Sequence, residues 1–186
     1  MTLIKSISGV RGIIYDDDVL GLSSKEIIDC VSHFFEFLSK SNRSNVKIAI
    51  GRDGRKSGFR ILNLIKEYLV EIGVHVVNLE LTTTPSVQLA VNSENCHGGI
   101  MISASHNPIQ WNGLKFLNKK GEFLSKEEGS LVFSSNKNLK NITKKNGRAQ
   151  KLDYMHKHIK SILDLKDVDA NMIKQKKFKI VVDGIN

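Results

Sequence analysis

With only two cysteines in 186 residues, a disulfide framework is not expected. Cys30 and Cys96 have no CxxC spacing and no histidine at ligand intervals, so they read as free thiols in a reducing compartment. Aromatic residues make up 6% of the chain, which leaves few rings to stack on bases. No apolar run approaches the roughly 20 residues that cross a bilayer. The segment from Met1 to Gly12 lacks a basic patch followed by an apolar core and a small-residue cleavage site. A secretory signal is therefore not expected, and the cytoplasm is the expected compartment. There is no internal repeat.

What is present suits a soluble globular protein: 40% hydrophobic and 25% charged residues, enough for a sizeable core. The length lies between one average domain and two. The formal net charge is +9, which raises the possibility of a nucleic-acid partner. The distribution argues against it. Much of the excess sits at Lys137, Lys140, Lys144, Lys145, Arg148 and Lys151, and again at Lys174, Lys176, Lys177 and Lys179, among Asn and Ser without interleaved aromatics. A solvated linker accounts for it. The competing reading is a non-catalytic basic module that binds nucleic acid or another polyanion through Ser134 to Lys151.

Hydrophobic periodicity predicts alternating elements. Ser24 is expected to cap a helix carrying Ile27, Ile28, Val31, Phe34, Phe35 and Leu38. Val46–Ile50 is a short strand. A polar turn, Gly51 to Gly58, then leads to a helix with Ile61, Leu62, Ile65, Leu69 and Ile72 on one face, stopped by Gly73. Val74–Leu79 is the next strand. Thr84-Pro85 reads as an N-cap with proline at the first helical position, and Gly99–Ile102 is a third strand. Beyond it, Lys115–Leu117 and Glu122–Leu124 flank a Lys119-Lys120-Gly121 turn and read as a hairpin. Ser125 and Glu128 form a capping box for a helix ending near Phe133.

The fold class expected is α/β, a mixed and mostly parallel sheet with crossover helices and an antiparallel edge hairpin. Residues 1–133 would form the core, and 134–175 a basic surface segment with a linking helix over Asp153–Leu165. Residues 176–186 would hold the first strand of a second domain, over Phe178–Gly184.

Chemistry is expected where strands run out, because open α/β sheets bind ligands beyond the carboxyl ends of their strands. From Gly99 to Phe116 an apolar run stops at Ser103 and Ser105, followed by His106, an Asn107-Pro108 turn, Asn112-Gly113 and Lys115. Two readings are open. In one, Ser103, Ser105 and Asn107 only cap local backbone. Alternatively Ser105 is a phosphoryl carrier, which needs cationic neighbours or a metal to be effective. Lys115, Arg11 and a Mg²⁺ ion could supply that charge. Ser8 to Gly12 reads either as a tight anion-binding loop around Arg11 or as a plain strand-to-loop bend. In Gly51 to Arg55, Asp53 either orients Arg52 or Arg55 or makes a weak surface ion pair. Trp111 either stacks on a sugar or anchors the loop. His33, His97 and His156 have no ligand-like companions.

These segments, SASHNPIQWNGLKF with SISGVRG and GRDGR, resemble the α-D-phosphohexomutase superfamily of phosphoglucosamine mutases and phosphoglucomutase/phosphomannomutases. The resemblance covers nearly the whole chain and implies that superfamily's first domain, an α/β/α unit. It implies that Ser105 holds the phosphoryl group, whose oxygen would also reach Mg²⁺. Lys115 matches an active-site lysine and candidate general acid/base. Arg11 matches the arginine near the serine, and His106 and Asn107 shape the serine loop. Ser103 is a further candidate for phosphate binding. The implied reaction moves phosphate between the 1- and 6-positions of a hexose phosphate, glucosamine phosphate being the first choice. A hexose 1,6-bisphosphate is the implied intermediate and activator, and no membrane or specific nucleic-acid partner is implied.

One departure stands out. Nothing here resembles the superfamily's aspartate-rich metal loop, its sugar-recognition loop or its distal phosphate loop. A metal needs several oxygen ligands, and Ser105 supplies one. The chain is therefore expected to be a fragment with negligible turnover by itself.

Overall fold

The computed structural model describes residues 3–6, 9–40, 45–133 and 147–183. The chain divides into two units, Met1–Tyr154 and Met155–Asn186. The first contains β1 (Leu3–Ser6), β2 (Gly9–Ile13), α1 (Ser24–Leu38), β3 (Lys47–Arg52), α2 (Gly58–Glu71), β4 (His75–Leu81), α3 (Thr84–Ser93), β5 (Gly98–Ile102), β6 (Trp111–Leu117), α4 (Lys126–Phe133) and β7 (Ala149–Lys151). Its strands form one seven-stranded sheet in the order β1-β2-β6-β5-β3-β4-β7. Parallel ladders join β3 to β4, β3 to β5 and β4 to β7. Antiparallel ladders join β1 to β2, β2 to β6 and β5 to β6. The α/β class with a mixed sheet is as expected.

The central strands are apolar on both faces because helices cover both. Ile48, Ile50, Ile100 and Ile102 pack with Val31 and Phe34 of α1 and with Ile61, Leu62, Ile65 and Leu69 of α2. One residue out of phase, Ala49, Val77 and Met101 pack with Val87, Ala90 and Val91 of α3. That two-residue alternation makes the three layers. Each fully buried Ile or Leu contributes about 1.5–3 kcal/mol.

Several local expectations shift. The caps fall one residue early: Ser23 accepts from Glu26 N, and Thr83 accepts from Ser86 N. The capping box forms as read, with Glu128 N donating to Ser125 Oγ at 3.2 Å and Ser125 N to Glu128 Oε2 at 2.8 Å. The hairpin after β6 shrinks to one bridge, Leu117 to Phe123. Asn118 Oδ1 accepts from Lys120 N and Glu122 N, closing the chain into a turn that leaves the sheet for α4. The antiparallel edge is made instead by β1 and β2. Arg11 therefore sits in a strand, not in a loop; glycines at 9 and 12 concealed the strand pattern.

The basic stretch expected to be a linker ends in β7, which pairs with β4 through Ala149–Lys151. Residues 134–146 of that stretch, and Ser8, lie outside the described residues. Tyr154, within the helix expected over Asp153–Leu165, precedes α5, is 1% exposed and belongs to the first unit. Its hydroxyl donates to Glu94 Oε1 at 2.8 Å, the partner a buried phenol requires.

The second unit contains α5 (Met155–Leu163) and α6 (Ala170–Lys176), the latter capped by Asp169 and not foreseen. Phe178–Val182 is not a strand. No strand among the described residues pairs with it, and Val181 is 97% exposed. Gly184 lies outside the described residues. Among the described residues no helix is long and apolar enough to cross a membrane.

Candidate active site

β3 and β5 are neighbours with Arg52 in register with Ile102, so the turns that follow them emerge side by side. Asp53 N donates to Ile102 O at 3.0 Å and fixes the junction. β6 returns antiparallel to β5, and β2 pairs with β6, which sets Val10 against Leu114 and Arg11 against Gly113. Ser103 N donates to Gly113 O at 2.9 Å. Three segments far apart in the chain thereby meet at one edge.

They border an open pocket lined by Ser6, Gly9, Val10, Arg11, Ser103, Ala104, Ser105, Leu114 and Lys115. Its charged side chains are Arg11 and Lys115, both cationic. Among the described residues no carboxylate lines it. Gly9 is required here by its backbone, with φ of +118° and a missing Cβ that would fall 1.9 Å from Leu114 O.

Ser105 is exposed at the rim, with φ of +56°, the left-handed region that L-residues rarely adopt. Its amide donates to the Oγ of buried Ser103 at 3.0 Å, so Ser103 shapes the turn from below. Asn107 N donates to Ala104 O at 3.1 Å, and Arg11 Nη1 donates to Asn107 Oδ1 at 3.4 Å. The local-capping reading of the serines is seen directly: these bonds build the turn that carries Ser105. His106 is exposed and is not among the pocket-lining residues.

Arg55 is the residue whose part the sequence did not disclose. Its Nη1 donates to Pro108 O at 2.9 Å and Trp111 O at 3.0 Å, and its Nη2 to Ser105 O at 2.8 Å and Asn107 O at 2.7 Å. Asp53 orients it, with Oδ2 lying 3.4 Å from Arg55 Nε and Oδ1 accepting from Arg55 N at 3.0 Å. Asn112, wholly buried, donates to Ser57 Oγ at 2.9 Å and accepts from Gly113 N, joining the two turns again. The adjacency of β3 and β5 is the signal that could have linked GRDGR to the serine loop.

As for a metal, no group of three or more His, Cys, Asp or Glu among the described residues could hold one. Beside a cationic pocket without carboxylates, these residues do not form a Mg²⁺ site by themselves. Cys30 and Cys96 are buried, which pushes both thiols up to about 12 and keeps them out of any nucleophilic role.

Residues 3–142 match the family model described as phosphoglucomutase/phosphomannomutase, alpha/beta/alpha domain I. A phosphoglucomutase/phosphomannomutase of Thermococcus kodakarensis is 31% identical over 181 residues, 96% of this chain and 38% of that protein. A phosphoglucosamine mutase of Helicobacter pylori strain Shi470 is 40% identical over 96 residues, 52% of this chain and 21% of that protein. Among solved structures, a phosphoglucomutase/phosphomannomutase family protein of Burkholderia thailandensis superposes with a TM-score of 0.67 at 20% identity. That match covers 88% of this chain and 37% of the other, and it shows the fold. The chain thus spans less than two fifths of the length of these relatives.

Proposed function

Because the chain belongs to the phosphoglucomutase/phosphomannomutase family through its α/β/α domain I, we propose that it is the phosphoserine-bearing part of a phosphohexomutase. The reaction is phosphoryl transfer between the 1- and 6-positions of a hexose phosphate, with glucosamine phosphate the first candidate. The observation that carries this reading is the shared pocket: one exposed hydroxyl, Ser105, at the rim of a cavity whose charged side chains, among the described residues, are Arg11 and Lys115.

Phosphoryl transfer asks a protein for positioning and counter-charge more than for covalent chemistry. Phosphorylated Ser105 would give its phosphoryl group to one sugar hydroxyl as the Oγ–P bond breaks, and the bisphosphate so formed would reorient and return the phosphoryl group of its other position to Ser105 Oγ. Arg11 and Lys115 would offset charge on the moving group. Lys115 makes no ion pair among the described residues and is the candidate to exchange a proton with the sugar hydroxyl. Ser103 and Asn107 hold the turn, and His106 is left to act from its outer side. A magnesium ion, implied by the resemblance, would need oxygen ligands beyond those the described residues supply. Negligible turnover by the 186 residues alone is part of the proposal.

Incubation with a hexose 1,6-bisphosphate, followed by mass-spectrometric mapping, tests it. Phosphate on Ser105, lost in Ser105→Ala, is expected. Phosphate on another residue, or none under conditions that label a full-length relative, counts against the reading.

A further inference from the structure

We infer that Arg55 is a positioning residue that imposes the left-handed backbone at Ser105 and so presents its hydroxyl to the pocket shared with Arg11 and Lys115. The inference rests on the proposed role of Ser105 as phosphoryl carrier, and goes beyond it by naming what holds that serine in place.

A guanidinium has five N–H donors in a fixed planar fork. All five are accounted for here. Four go to the carbonyl oxygens of Ser105, Asn107, Pro108 and Trp111, and the fifth faces Asp53 Oδ2. The side chain is 13% exposed, so water competes little for these contacts. The acceptors span the loop from its serine to the first residue of β6. One rigid group therefore dictates the path of the whole segment. A lysine, with three donors on a flexible stem, cannot reproduce the pattern.

The backbone at Ser105 is where that constraint matters. A φ of +56° costs an L-residue free energy, and such conformations persist only when the surroundings over-determine them. Arg55 on the carbonyl side and Ser103 Oγ on the amide side of Ser105 are that constraint. There is an electrostatic consequence as well. In a trans peptide the N–H points opposite to the C=O. With Ser105 O held on Arg55, the N–H of His106 faces away from the guanidinium. Negative carbonyl ends are gathered on a partly buried cation, and a phosphate on Ser105 is spared their repulsion.

The test uses the 186-residue chain with phosphoserine incorporated at position 105 during synthesis, as wild type, Arg55→Lys and Asp53→Asn. Two signals are read: the ³¹P titration of the phosphoserine, and amide exchange of residues 103–111 with β3 and β5 as fold controls. In the wild type the phosphate is expected to titrate at least half a unit below its ordinary second pKa of about 6. In Arg55→Lys it returns toward that value, and loop exchange accelerates at least tenfold while the strands stay protected. Asp53→Asn, which keeps the guanidinium and frees Nε, falls between the two and decides the matter if Arg55→Lys does not fold. Unchanged titration and unchanged loop exchange in the variants overturn the inference. A wild-type phosphate that titrates like that of the unfolded chain defeats the reading of Ser105 instead. Loop exchange then decides Arg55 by itself: loop-confined acceleration supports the inference, and no acceleration overturns it.

Discussion

Gly113 stands opposite Arg11 in the β2–β6 ladder, and the Cβ it lacks would lie 3.0 Å from Arg11 Cβ and 2.7 Å from Val10 O. The missing side chain is what lets β2 bring its arginine against the start of the serine loop. Gly113→Ala is expected to destabilise the chain by about 1–3 kcal/mol, and Gly9→Ala by at least as much because its φ is also forbidden to alanine. Urea midpoints should fall at constant slope. Wild-type stability in either variant would show that the ladder yields easily.

Asn112→Ala removes a buried amide that satisfies Ser57 Oγ and the Gly113 amide. The expected cost is about 1–3 kcal/mol, the penalty for leaving buried polar groups unpaired. Amide exchange should rise at residues 53–57 and 103–113 together, since Asn112 ties the two turns. A loss confined to one turn would contradict that coupling.

The two thiols set an alkaline limit. Burial raises both to about 12, against the ordinary thiol value of 9.0. Between those values the native state holds protons that the unfolded chain gives up, so stability is intact below about pH 9 and declines as pH rises above it. The slope should approach about 1.4 kcal/mol per pH unit per thiol. Urea unfolding at pH 8 and pH 10 measures it, and Cys30→Ala with Cys96→Ala should flatten the difference. Persistence of the full decline in the double variant would assign it to other groups.

Arg11 and Lys115 should govern anion affinity at the pocket. Inorganic phosphate or a hexose phosphate is expected to raise the thermal midpoint by mass action. Arg11→Gln and Lys115→Gln should each weaken binding about tenfold, about 1.4 kcal/mol. An equal midpoint shift in wild type and both variants would place the anion elsewhere.

Most of the layered fold was legible because burial on both sheet faces writes continuous apolar strands, and the helices carry their stripes at regular spacing. β2 was hidden for the opposite reason: Gly9 and Gly12 erase the alternation that marks a strand. β7 was hidden because its three exposed residues, Ala149, Gln150 and Lys151, carry no run of hydrophobic signal. Ser105, Arg11, Ser103 and Lys115 were readable as polar residues bordering strands, and the pocket unites them. Arg55 was visible only as half of an ion pair with Asp53. Its other bonds go to main-chain oxygens, which every residue possesses and no pattern of side chains announces.

That dependence on main-chain oxygens sets how the site can be moved or inherited. Ser105 and its fastener lie 50 positions apart in the chain. Transplanting residues 103–110 into a foreign scaffold would carry the serine and leave its buckle behind. By contrast, the loop side chains other than Ser103 and Asn107 make none of these bonds and can vary without unseating it. The transferable unit is a pair of neighbouring turns on adjacent strands, and engineering that treats either as a module by itself should inherit the motif without its shape.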